Sequence, residues 1–414
     1  MTNKATILVL AREHALEPQI VEKDYALSWL LYGIAQHPVL SRWRFKGGTC
    51  LKKCFFDTYR FSEDLDFTIP NDVELTERSL KAWLAEVCDW VSQHCESIEF
   101  DGDRLDIEPH PDKQGNEAFT IRAYYAGPLG LASKSRQRIK LDLTQHEILC
   151  DPPDMRAVFH GYEDRIEPAP SIACYSINEI LAEKTRALYQ RTGRARDVYD
   201  VVNIHRSFRE QIDPIRARAI LREKFAFKNL PAPSVQSILE RVDLELLATA
   251  WQQQLSRQLP VLPPFESVSA ELHDALAWWM EPDTATPQPP RAPLRPGEEI
   301  QPRELFGGTS QLAPVQGHTR LAARMGFSPR TLLDRARFAA RNRLLVELAY
   351  DGAVRLVEPY SLRYARSTGN TNLFVHELSR NGVTTDQLKS YDITKMRSVE
   401  ITDQPFTPRW AIEL

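Results

Sequence analysis

Residues Phe45–Ile69 read FKGGTCLKKCFFDTYRFSEDLDFTI, and this stretch carries more chemistry per residue than any other part of the chain. Arg44–Lys46 has the character of a strand end, Gly47 and Gly48 break it, and Thr49 opens an apolar and basic segment. Two adjacent glycines allow a close backbone approach to a ligand, and a helix start presents free N–H groups and a partial positive charge. The stretch therefore predicts a strand, a glycine turn and a helix start that would fit a phosphate.

The residues next to the turn strengthen this interpretation. Thr49 can cap the helix or donate its hydroxyl to the same anion, and Lys52 and Lys53 lie one turn further on. A lone pair of glycines is more often an ordinary turn, so the alternative at this position is a turn without a ligand.

A run of alternating residues follows at Ser62–Ile69. In a strand, Asp64 and Asp66 would lie side by side on one face with Thr68, while the apolar residues between them point to the other face. Neighbouring carboxylates repel each other unless a cation lies between them, and Mg²⁺ prefers one or two carboxylates plus phosphate oxygens. The pair therefore predicts a metal site, and the alternative is a solvated strand face.

A second strand offers a third carboxylate. The sequence RIKLDLT from Arg138 to Thr144 alternates so that Lys140 and Asp142 share one face. A third Asp on a neighbouring strand would supply a general base or a shared metal ligand beside Asp64 and Asp66. The alternative is a surface strand in which Lys140 simply pairs with Asp142.

Basic residues cluster further along the chain, where two helices are predicted on either side of Gly193. These cations are more numerous than a solvated helix needs, and nucleoside triphosphate phosphates or an RNA backbone would neutralise them. The alternative is a pair of helices crossed by salt bridges. The cluster comprises Lys184, Arg186, Arg191, Arg194 and Arg196.

Composition limits the class of protein. The chain has 414 residues, 43% hydrophobic and 26% charged, and a net charge of −4, which fits a globular protein of two or three domains. No run of about 18 apolar residues appears and the N-terminus is charged too early for a signal peptide, so we expect a cytoplasmic protein without a membrane segment. The six cysteines form no Cys-x-x-Cys pair, and core packing is the expectation for Cys50 and Cys54.

The expected architecture is α+β. We predict a mixed sheet with helices over residues 1–170, a helical subdomain completing the active site over 171–280, a proline-rich linker over 281–305, and a helix pair with a small SH3-like β-barrel over 306–414. The helix pair, around Leu321–Leu332, weakly resembles a helix-turn-helix, but a connecting helix pair is the preferred interpretation.

The order of these motifs resembles the nucleotidyltransferase superfamily, and more closely the AbiEii/AbiGii toxin family. That family shows KGGT-x-L-x-K followed by RFS-x-D-L-D-F, which Lys46–Lys53 and Arg60–Phe67 match almost position for position. Its later motifs, EK-x-x-A-L and R-D-x-Y-D, match Glu183–Leu188 and Arg196–Asp200.

The resemblance implies roles for particular residues. The catalytic residues would be Asp64, Asp66, Asp142, Lys184 and Asp197, and the first three would hold Mg²⁺ or Mn²⁺. The nucleotide would be held by Lys46, Gly47, Gly48, Thr49, Lys52 and Arg196. The implied reaction is transfer of NMP from an NTP to a hydroxyl of RNA, such as a tRNA end, or of protein, by a toxin with a cognate antitoxin.

The last segment resembles the SH3-like barrel of WYL domains. Strands are predicted at Leu344–Tyr350, Val354–Leu362, Leu373–His376 and Ser398–Ile401, although Leu373–Val375 replaces the WYL tripeptide. Two other functions stay open. One is a ligand-responsive, nucleic-acid-binding regulator that acts through this domain, and the other is a Mg²⁺-dependent phosphate-binding protein without turnover.

Overall fold

The computed structural model describes residues 2–56, 59–111, 115–130, 137–281, 287–301 and 329–414. Two helices open the chain, α1 (Lys4–Glu13) and α2 (Pro18–Gln36). The two helices are separated at Ala15, which adopts a positive φ of 52°. Helix α2 is buried over most of its circumference, as expected of a helix inside a core.

A mixed seven-stranded sheet forms the centre of the N-terminal part, among the residues that the structure describes. The strand order is β3-β4-β5-β2-β1-β7-β6. The pairs β2–β5 and β1–β7 are parallel, and the other pairs are antiparallel. The strands are β1 (Arg44–Lys46), β2 (Asp64–Thr68), β3 (Glu99–Pro111), β4 (Glu117–Ala126), β5 (Gln137–Thr144), β6 (Asp154–Ala157) and β7 (Ser171–Cys174).

Two helical segments lie between the first strands of this sheet. Helix α3 (Gly47–Cys50) follows β1 directly and continues as a π-helical turn over Leu51–Phe55. Helix α4 (Glu77–His94) begins at a capping box in which Thr76 and Ser79 exchange hydrogen bonds, and its apolar face packs on α2 and β3. The predicted strand, glycine turn and helix start are therefore confirmed.

A group of helices follows β7 and packs beside the sheet. They are α5 (Ile177–Gln190), α6 (Ala195–Phe208), α7 (Pro214–Phe227), α8 (Val235–Leu239), α9 (Leu244–Leu255), α10 (Phe265–Ser269) and α11 (Leu272–Met280). Trp251, Trp278 and Trp279 are buried among them. Gly193 allows the turn between α5 and α6 with a φ of 68°.

The C-terminal part holds a second, antiparallel sheet. Strand β8 (Glu298–Ile300) and helix α12 (Pro329–Asn342) precede β9 (Leu344–Tyr350), β10 (Ala353–Ala365), β11 (Asn370–Arg380), β12 (Val383–Asp392) and β13 (Met396–Pro405). The order is β12-β11-β10-β9-β13, with β8 on β10. Within the described residues the outer strands β12 and β13 do not pair, so closure into a barrel stays a prediction, as does the WYL resemblance.

The C-terminal sheet differs from the sequence-based expectation in two details. Residues Glu298–Ile300, within the predicted linker, form β8 because their backbone pairs with Arg363–Ala365. Strand β12 was not predicted. The weak helix-turn-helix resemblance falls largely on residues 321–328, which lie outside the described residues. No helix in the described part of the chain has the length and apolar character needed to cross a membrane.

Candidate active site

The three aspartates converge because β2 and β5 are parallel neighbours in register. Asp66 lies opposite Asp142, and Asp64 lies opposite Lys140. Leu65 and Phe67, which alternate with the acidic residues, are fully buried on the other face. The register therefore brings together all three predicted carboxylates on one face of the sheet.

Two neighbours orient the carboxylate of Asp142. Lys140 Nζ donates to Oδ2 at 2.6 Å, and Thr120 Oγ1, on the adjacent strand β4, donates to Oδ1 at 2.8 Å. The pairing of Lys140 with Asp142 that was the surface-strand alternative is thus present. It occurs inside the acidic cluster, and each oxygen of Asp142 keeps further capacity to accept.

The other two carboxylates are held where a negative charge is costly. Burial raises the pKa of Asp66 to about 6, with Lys46 opposing and Asp142 and Asp64 adding to the rise. Burial also raises the pKa of Asp64, against the charge of Lys140. Crowded carboxylates whose charge is disfavoured without a counter-ion are the donor set expected of a divalent cation site.

A side chain at either glycine of the turn would clash with a neighbouring residue. Gly47 has a φ of 81°, and a Cβ there would lie 2.3 Å from Oδ2 of Asp66. A Cβ at Gly48 would lie 2.3 Å from Nη2 of Arg60. The turn therefore packs directly against one predicted metal ligand and against a buried arginine.

The predicted nucleotide-binding residues around the turn do not all face the same way. Lys46 faces the cavity, with Nζ 3.3 Å from Thr144 Oγ1 and 3.5 Å from Glu183. The hydroxyl of Thr49 donates to the carbonyl of Asp64, so it supports β2. The ammonium of Lys52 lies 4.0 Å above the ring of Phe61 and is absent from the cavity lining within the described residues.

Lys184 is held by two carboxylates of α6. Its Nζ lies 2.8 Å from Asp197 Oδ1 and 2.8 Å from Asp200 Oδ2. Asp200 is fully buried and also accepts from Nε and Nη2 of Arg60 at 2.7 Å each. Although burial opposes the charge, these carboxylates raise the pKa of Lys184, so it stays an ammonium with one N–H donor not used by them.

This network contains residues to which the sequence analysis gave no role. Arg60 opens the RFS-x-D-L-D-F motif and Asp200 ends the R-D-x-Y-D motif, and they meet across 140 positions of sequence. Arg60 also donates to Gln258 Oε1 at 3.0 Å. A signal for Asp200 was present, because it follows Asp197 by three residues and so shares its helix face.

Glu183 is a third residue of this kind. It lies between Lys46 and Lys224, and although burial opposes its charge, the two lysines lower the pKa of Glu183 to about 2. Arg196 lines the same cavity, and its Nε donates to the backbone carbonyl of Gln254 at 3.2 Å. The cations here are therefore partly balanced, as the salt-bridge alternative expected.

These elements enclose a cavity of about 520 Å³. Its lining includes Lys46, Gly47, Gly48, Asp64, Asp66, Asp142, Lys184, Arg196 and Asp197. Arg191 and Arg194 lie exposed at its edge. Another cavity, of about 680 Å³, lies between α6, α11 and the C-terminal segment, but none of the three aspartates lines it. Of these two cavities, the smaller one therefore combines the acidic cluster, the glycine turn and the cations.

A family comparison agrees with this geometry. The profile of the nucleotidyl transferase AbiEii toxin family, of type IV toxin–antitoxin systems, matches residues 29–280. Among solved structures, the chain is similar to MenT4, a nucleotidyltransferase toxin from Mycobacterium tuberculosis H37Rv, with 18% identity and a TM-score of 0.47 over 68% of this chain and 90% of that one. A search of curated proteins gives no match. With more than half of its length matched, the chain belongs to the AbiEii family of nucleotidyltransferase toxins.

Proposed function

We propose that this enzyme transfers a nucleoside monophosphate from an NTP to a hydroxyl group of RNA, such as a tRNA end, or of a protein. Family membership implies a toxin with an NTP substrate and an antitoxin partner. We further propose that the toxin acts in the cytoplasm, that a cognate antitoxin protein neutralises it, and that its growth inhibition serves abortive infection and phage defence.

The observation that carries the proposal is the register of Asp64, Asp66 and Asp142 on one face of the sheet, beside the glycine turn. Buried carboxylates with raised pKa values fit a divalent cation, and oxygen ligands favour Mg²⁺ or Mn²⁺ over softer metals. When bound, such an ion would neutralise charge on the phosphates and orient them.

The residues of the chain would position the two reactants. Gly47 and Gly48 line the cavity beside the aspartates, and Lys46 and Arg196, which line it too, would supply positive charge to the phosphates. The acceptor oxygen bonds to the α-phosphorus, the bond between the α- and β-phosphates breaks, and pyrophosphate leaves.

Proton transfer and charge balance complete the proposed reaction. Asp142 would accept the hydroxyl proton or act as the shared ligand. Lys184 would neutralise the charge that develops on the leaving pyrophosphate. Asp197 would act as a positioning residue, because it holds the ammonium of Lys184 at 2.8 Å.

The test supplies purified protein with Mg²⁺, each α-³²P-labelled NTP in turn, and either total RNA or protein extract. The control variants are Asp64→Ala/Asp66→Ala and Asp72→Ala, because Asp72 is an exposed acidic residue that lies outside the cavity lining. We expect label in one acceptor class with wild type and Asp72→Ala only. Folded protein that binds NTP but labels nothing would refute nucleotidyl transfer and favour the regulator or the phosphate-binding alternative.

A further inference from the structure

Three cysteines meet in the core directly behind the glycine turn. Cys50, Cys54 and Cys174 have fully buried side chains, and their Sγ atoms all lie within 4.8 Å of one another. All three are free thiols. The proposed nucleotidyl transfer uses none of them.

The fold brings them together from two elements. Cys50 and Cys54 are four residues apart, on α3 and the π-helical turn that follows it, so their side chains lie on the same face. Cys174 ends β7, where it pairs with Phe45 of β1. The expectation of core packing for Cys50 and Cys54 rested on sequence spacing, which could not include Cys174.

The chemistry of this group differs from that of the aspartate cluster. Three thiolates around one ion, at the metal–sulfur distance of about 2.3 Å known for zinc, would place the sulfurs about 4 Å apart. The observed Sγ–Sγ separations are all within 4.8 Å, so only a small movement of the side chains is needed to reach that arrangement. Thiolate ligands select soft ions such as Cu(I), and they do not suit the hard ions that carboxylates bind.

The number of ligands narrows the choice of metal ion further. Structural zinc sites almost always use four protein ligands, and the group found in the described residues offers three. The side chains are fully buried, which leaves no room for bulk water as a fourth ligand. We propose that Cys50, Cys54 and Cys174 form a three-coordinate thiolate site for a soft monovalent cation, Cu(I).

Nearby charges and the position of the site agree with this assignment. Burial disfavours the thiolate form of all three cysteines, and the positive charges of Arg156 and Lys53 near Cys54 would partly balance thiolates bound to an ion. Binding would release thiol protons, because the ligand is the thiolate. It would also tie α3, whose first residues are the glycine turn, to β7. Cu(I) would therefore stabilise the part of the fold that carries the proposed phosphate site, whether or not that site transfers nucleotides.

The test is an anaerobic titration of the reduced full-length protein with Cu(I), in competition with a chromophoric Cu(I) chelator. We expect wild type to take one equivalent of Cu(I) from the chelator and Cys54→Ala to lose that equivalent. The matched control is Cys88→Ala, since Cys88 is also a buried thiol but lies on α4, outside the cluster. This control should retain the full equivalent.

Two results would refute the proposed Cu(I) site. One is wild type taking no more Cu(I) than Cys54→Ala, which would leave the cluster as core packing. The other is a loss in Cys88→Ala equal to that in Cys54→Ala, which would point to general thiol chemistry. Should Cys54→Ala fail to fold, X-ray absorption of Cu(I)-loaded wild type decides: three sulfur ligands support the site, and nitrogen or oxygen ligands refute it.

Discussion

Replacing Gly47 by alanine should damage the candidate active site much more than the fold. The new Cβ would lie 2.3 Å from Oδ2 of Asp66, and ordinary contact requires about 3.4 Å. The carboxylate must therefore move by about 1 Å, and a misplacement of that size at a reacting centre costs roughly 100-fold in rate. The φ of 81° adds backbone strain of about 1–2 kcal/mol.

A matched glycine separates these two effects. Gly382 has a φ of 79°, and nothing lies within 4 Å of the Cβ that alanine would add there. Gly382→Ala should therefore show the same strain, a fall in Tm of a few degrees, with normal kcat/KM.

The assay is pyrophosphate release with saturating acceptor, together with thermal denaturation of both variants. We expect Gly47→Ala to lose about 100-fold in kcat/KM while its Tm falls about as much as that of Gly382→Ala. Equal activity of the two variants would refute the argument, because the Asp66 carboxylate would then not need its present position.

Three further predictions concern charge. The pKa of Asp66 is raised from 3.8 to about 6. Between pH 3.8 and pH 6 the native state therefore holds a proton that the unfolded chain has lost. Metal-free wild type loses stability as the pH rises through this range, because the proton must be given up in the folded protein. In EDTA, Asp66→Asn should therefore be more stable than wild type above pH 6, by on the order of 3 kcal/mol, and no more stable below pH 4. Denaturant unfolding at both pH values checks this, and a stability difference that does not change with pH would contradict it. Arg60→Ala should lower the free energy of unfolding in urea by about 3 kcal/mol, because it removes a partner of the fully buried Asp200 carboxylate. Arg42→Ala breaks an exposed ion pair and should lower it by less than about 1 kcal/mol. Similar losses in the two variants would argue against a stabilising role for the Arg60–Asp200 pair. If RNA is the acceptor, Arg191→Ala/Arg194→Ala should flatten the dependence of log Kd on log salt by about 1.5, and an unchanged slope would exclude these arginines from the RNA contact.

Much of the fold could be predicted from local patterns. The alternation in β2 and β5 places carboxylates opposite buried apolar residues, and the structure keeps both strands. Strand β12 was not predicted because it is an outer strand in which one residue is buried, so its sequence lacks a regular apolar period. Strand β8 was not predicted because three residues are too few to show a periodicity, and their extended backbone depends on pairing with β10.

The direction of individual side chains was less predictable. Lys52 lies beside the glycine turn in sequence, yet its ammonium rests on Phe61. Thr68 shares strand β2 with Asp64 and Asp66, yet it is fully buried and forms a hydrogen bond of 2.7 Å with the hydroxyl of Tyr175. Proximity along the chain does not fix orientation, because neighbouring elements decide which face is covered.

The sequence by itself determined the local units: the glycine turn, the Asp64 and Asp66 pair, and the helices that carry Lys184 and Asp197. Each depends on spacing within a few residues, which backbone geometry converts directly into a shared face. Only the tertiary structure decided that Asp142 stands opposite Asp66, that Asp200 joins Arg60 to Lys184, and that Cys174 completes a thiol cluster. These partners lie far apart in the chain, so strand register and helix packing, which no local pattern encodes, determine their distances.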